Sequence, residues 1–131
     1  MARIGTYLQD NLLNVSLRNT AFTAVAQPYV SLHTADPTDS TGTALANEVT
    51  GGSYARQTLT FGAPSSGIVT TTADVIFPIA TALWGNVGYV SVFDALTSGN
   101  LLYHGPLSPA VVIDTTDQLR ILLGNFTIQL T

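Results

Sequence analysis

From Tyr29 onward the chain is cut by turn signals roughly every 8–12 residues, and between them apolar and polar side chains alternate. Val30, Leu32 and Thr34 alternate with Ser31 and His33. Tyr89, Ser91 and Phe93 alternate with Val90 and Val92, and Phe126, Ile128 and Leu130 with Thr127 and Gln129. A period of two belongs to a strand, not a helix. The punctuation is equally local: Asp36-Pro37, Gly51-Gly52, Gly62-Ala-Pro64, Ser98-Gly-Asn100, Gly105-Pro106, Asp114-Thr-Thr-Asp117 and Gly124-Asn125. About seven or eight short strands result, with no βαβ alternation and no internal repeat. This pattern predicts a mainly β protein: a single antiparallel β-sandwich or jelly-roll-like domain with an N-terminal helix or arm.

The helix is expected at 3–19. Ile4, Leu8, Leu12 and Val15 share one face, broadened by Leu13 and Leu17. Asn19-Thr20 provides a stop. A helix of this length is marginal alone, so it must dock on its own domain or on a neighbour. The division expected is 1–28 for the helix and arm and 29–131 for the β-domain. Strands are predicted at 29–34, 54–61, 87–94, 101–104 and 107–113, the last interrupted at Pro109. Residues 35–53, rich in Thr, Asp, Ser and Gly, are expected to form a long polar loop.

Charge narrows the function. Charged residues make up 9% of the 131 positions, against about 25% in an average protein. Lysine is absent, and the cations are Arg3, Arg18, Arg56 and Arg120. A monomer of this mass exposes about 6,600 Å², which twelve charged residues cover thinly. Either partner subunits cover part of that surface, since interface cores are poor in Lys, Glu and Asp, or the chain is a small neutral β-domain rich in Thr and Ser. The first reading is the stronger. A net charge of −4 with four scattered arginines argues against nucleic acid and membrane surfaces as partners. No apolar run reaches the roughly 18 residues of a membrane helix. The N-terminus lacks the apolar core of a signal peptide, so assembly in the cytoplasm is expected.

Few residues offer chemistry. With no cysteine, disulfides, thiolate metal sites and cysteine nucleophiles are excluded. Asp36, Asp39 and Glu48 share one loop region, yet a calcium site needs six to eight oxygens at closer spacing; turn-capping aspartates are the simpler reading. His33 and His104 lie in strands at no motif spacing, as expected of surface or interface histidines. Trp84 with Tyr54, Tyr89 and Tyr103 could make a sugar-stacking platform, but a core or interface anchor is favoured. Arg56 is expected to pair with an acid or a carbonyl, Glu48 across the Gly51-Gly52 turn being the nearest. No nucleophile elbow, phosphate loop or zinc motif is present. The chain is therefore expected not to be an enzyme and to need no cofactor or metal.

Four segments in order carry a resemblance: Leu17-Arg-Asn-Thr-Ala-Phe22, Tyr29-Val-Ser-Leu-His-Thr-Ala-Asp-Pro37, Asn47-Glu-Val-Thr-Gly-Gly-Ser-Tyr-Ala-Arg-Gln57 and Ala82-Leu-Trp-Gly85. Together they resemble a family of small tailed-bacteriophage virion proteins. Some of its members are capsid decoration, or cement, proteins, and many carry a tail-fibre label. Thr50 departs from the pattern, where serine is expected. The resemblance implies a structural role on the capsid exterior, as a homotrimer bridging major capsid subunits. The alternative is a tail-fibre or host-glycan-binding module. The residues expected to build the interface or its supporting architecture are Leu8, Leu12, Val15, Arg18, Asp36, Glu48, Gly51, Gly52, Tyr54, Arg56 and Trp84.

Overall fold

The computed structural model describes residues 2–130. A five-stranded antiparallel sheet runs in the order β1-β7-β6-β2-β3. Its strands are β1 (Arg3–Ile4), β2 (Tyr29–His33), β3 (Gln57–Thr58), β6 (Gly85–Phe93) and β7 (Leu101–Ile113). Two ribbons accompany it: β4 (Ile68–Thr70) with β9 (Thr127–Gln129), and β5 (Val75–Ile76) with β8 (Arg120–Ile121). Every pairing is antiparallel. The architecture is mainly β with an N-terminal helix, as the period-two pattern indicates.

One face of the sheet makes the main core. Val30, Leu32 and Val92 pack there with Leu8 from the N-terminal helix, Val75 and Phe77 from the β5 side and Ile128 from β9. The other face is also buried. Register places Ser31 opposite Ser91 and Ser91 opposite His104, in one row across three strands. Beside that row Phe93 and Leu101 pack under Ala44. Strand β2 is therefore covered on both sides, and Val30, Leu32, Ser31 and His33 have essentially no solvent access. The alternation of β2 predicts a half-buried strand; what fills its second face is the segment expected to be a solvated loop.

That segment contains α2 (Thr41–Asn47). Ser40 is its N-cap, accepting a hydrogen bond from Thr43 N at 3.5 Å, and Ala44 is fully buried. Other expectations also shift. The helix α1 runs Thr6–Leu17, preceded by β1 rather than extending to residue 3. Residues 54–61 yield only the two-residue β3, because Tyr54 and Arg56 turn their side chains into the hydrogen-bond network described below. The breaks expected at Gly105-Pro106 and Pro109 do not end β7. Beyond His104 no strand lies on its β1 side, so the missing N–H groups cost no ladder bond there. Instead Gly88 alone opposes residues 107–110, a register shift that interrupts the ladder around Pro109. Among the described residues no helix is long and apolar enough to cross a membrane.

The arm is stitched to this body. Gly5 N donates to Leu102 O at 2.9 Å and Thr6 N to Asp39 O at 2.8 Å, so the loop before α2 satisfies the start of α1. Arg18 N and Thr20 N both donate to Asn14 O, with Asn19 in the left-handed conformation (φ 52°) that closes a helix. A Cβ on Gly5 would meet the Leu101 carbonyl at 2.6 Å. We expect Gly5→Ala to cost about 2 kcal/mol or more in urea unfolding, because backbone must move to admit the methyl.

Candidate functional site

The motif residues converge around one buried ion pair. Arg56 Nε donates to Glu48 Oε1 at 2.8 Å and Nη2 to Oε2 at 2.7 Å, a bidentate geometry. Its remaining nitrogen, Nη1, donates to the carbonyls of Ala95 and Ser98, both at 2.8 Å. The guanidinium lies 3.9 Å from the centre of the Phe93 ring. Only 3% of the Arg56 side chain is exposed. One arginine thus ties the end of α2, the entry to β3 and the β6–β7 turn. That turn is set by Asp94, whose carboxylate accepts from Asn100 N and Nδ2.

Tyr54 extends the pair. Its hydroxyl donates to Glu48 Oε1 at 2.8 Å and accepts from Leu32 N at 3.0 Å. Burial, and then the neighbouring carboxylate, push the phenol well above its ordinary pKa. Its ring meets Trp84 edge-on at 5.4 Å and stacks on Phe77 at 6.2 Å. Trp84 is buried, and its indole N–H donates to Gly52 O at 2.9 Å. Gly52 has φ 58°, and a Cβ there would lie 2.8 Å from the indole nitrogen. The double glycine is therefore a seat for the tryptophan, and the ring offers no face to a sugar.

The other acids do not gather. Asp36 Oδ1 accepts from Thr38 N at 2.9 Å, an Asx turn. Asp39 bonds His104 Nε2 at 2.7 Å and Arg3 Nη2 at 3.3 Å. Among the described residues no three His, Asp or Glu side chains lie close enough to hold a metal ion. The histidines are not surface groups: His33 and His104 are both buried. His33 Nε2 pairs with Ser31 Oγ at 2.9 Å and the ring stacks on Phe93. Burial lowers the His33 pKa to about 4; Glu48 opposes the shift, while Arg56 and His104 add to it. The Asp39–Arg3–His104 cluster escapes sequence reasoning, because nothing local links positions 36 and 65 residues apart.

The arm residues divide by face. Leu8 is buried, Leu12 partly so, and Val15 is exposed. Arg18 is exposed and its Nη1 donates to Asn14 Oδ1 at 3.1 Å. Leu13 and Leu17, one turn apart, are 56% and 76% exposed. Further apolar side chains stand in water on the body, among them Leu83, Val112, Leu122 and Leu123.

The chain matches the model of the family described as podophage GP4 fiber I protein gp80 over residues 3–129, and it belongs to that family. It is a phage virion structural protein. No curated protein matches it.

Two outcomes test the clamp. Arg56→Met leaves the Glu48 carboxylate buried without its cation and should cost about 3–5 kcal/mol in chemical denaturation; Arg56→Lys, which cannot reproduce the fork, should also destabilise clearly. His33 gives a pH signature. The unfolded ring takes its proton near 6.5 and the folded ring only near 4. As pH falls between those values the unfolded state gains a proton that the folded state refuses, so stability is lost on acidification, by about 3 kcal/mol in the limit. Unfolding midpoints measured from pH 7.5 to 4 should show this slope, and the His33→Gln protein should lack that share of it.

Proposed function

We propose that the protein is a homotrimeric building block of a short virion fibre, the compact piece through which the fibre seats on the particle. The observation that carries this reading is the exterior. Fourteen large apolar side chains are exposed, against eight exposed charged ones among the described residues. The interior cannot absorb the excess, because it is already closed on both faces of the sheet. Each exposed leucine that a neighbour covers contributes about 1.5–3 kcal/mol before the costs of association. Low charge then favours packing between subunits over isolation in water. The threefold comes from the resemblance, and the fibre from the family description.

A second reading has its own support. The chain is one compact body without repeats, which suits a cement trimer bridging major capsid subunits on the shell. The two readings share the oligomer and differ in placement.

Light scattering of the purified protein should give about three times 13.8 kDa; a stable monomer contradicts the proposal. In cryo-electron microscopy of particles, density for this chain at the root of fibres supports the fibre reading. Density spread over the whole shell overturns it in favour of the cement role.

A further inference from the structure

A cleft of about 420 Å³ opens between β7 and the chain from Ile121 to Gln129. Two aromatic residues, Tyr103 and Phe126, line it, and four exposed uncharged polar residues join them: Ser108, Asn125, Thr127 and Gln129; the buried Ser91 also lines it. The hydroxyl and amide groups of those four side chains have no hydrogen-bond partner among the described residues, and all four residues are exposed. Among the described residues no Asp, Glu, Lys or Arg lines the cleft. His104 contributes to the wall, but its Nε2 is committed to Asp39. Val92, Tyr103 and Ile128 are common to this cleft and to an apolar one of about 350 Å³ beside it.

We infer that this cleft binds an uncharged polyhydroxylated ligand, a neutral hexose unit. The chemistry is specific to that class. A sugar offers an apolar C–H face to an aromatic ring and a rim of hydroxyls to amides that donate and accept at once. The absence of charged side chains disfavours phosphorylated or acidic ligands, which need a cation to offset their desolvation. The volume fits one or two hexose units and lies within the range of small-molecule sites. Trp84, the residue that sequence reasoning offers for sugar stacking, takes no part. The site does not depend on whether the subunit sits in a fibre or on the shell.

Saturation-transfer NMR and calorimetry with glucose, galactose, mannose, N-acetylglucosamine and the neutral polysaccharide dextran test this. We expect transfer to at least one neutral probe. The Asn125→Ala/Gln129→Ala protein should bind it at least tenfold more weakly, with an unchanged thermal midpoint. Binding of a monosaccharide assigns a free sugar; binding of dextran alone assigns a polysaccharide segment. No transfer to any probe, or equal binding by the double variant, overturns the inference.

Discussion

The bidentate pair between Arg56 and Glu48 is the interaction on which the rest of this fold depends. It joins segments that no backbone ladder connects directly: the end of α2, the entry to β3 and the β6–β7 turn. A buried ion pair is weak evidence for stability in itself, because desolvation offsets much of the attraction. Its value here lies in geometry. All three guanidinium nitrogens are used, both carboxylate oxygens are used, and the second acceptor bond on Oε1 comes from Tyr54. A lysine or a neutral residue could not hold the same three segments in one arrangement.

This clamp explains why the sheet can be buried twice. The main core is apolar and ordinary. The second face carries Ser31, His33, Ser91 and His104, which an apolar cover alone would leave unsatisfied. The segment 35–53 brings Asp39 for His104 and Glu48 beside His33, and Arg56, just after it, joins Glu48 there. Ser91 Oγ has no hydrogen-bond partner among the described residues. Holding His33 neutral in that setting makes the second face the acid-sensitive one.

Much of this is legible in the sequence. The period-two alternation locates β2, β6 and β7, and the Gly51-Gly52 turn places Arg56 back near Glu48. What escapes detection does so for physical reasons. Thr41–Asn47 is too short and too weak in helix propensity to announce itself; burial of Ala44 and the Ser40 cap hold it. Gly105-Pro106 reads as a strand end, yet β7 runs through it because it has no partner on its β1 side there; the interruption read at Pro109 falls within the unpaired residues 107–110. His33 reads as a surface or interface residue because alternation reports one covered face and cannot report a second. The pairing of Asp39 with His104 is set by topology, and no local pattern encodes it.

The outer surface complements this interior. Its exposed apolar residues, among them Leu13 and Leu17 on α1, Leu83, Val112 on β7, and Leu122 and Leu123 after β8, are left over after a closed core. The clamp is the claim to test most directly. A double-mutant cycle on Glu48→Gln and Arg56→Met, read by equilibrium urea unfolding, measures it without attributing other losses to it. The account predicts strong coupling, on the order of 2 kcal/mol or more, with the double variant little worse than either single one. Additive losses would contradict it, and would mean that Glu48 and Arg56 contribute independently.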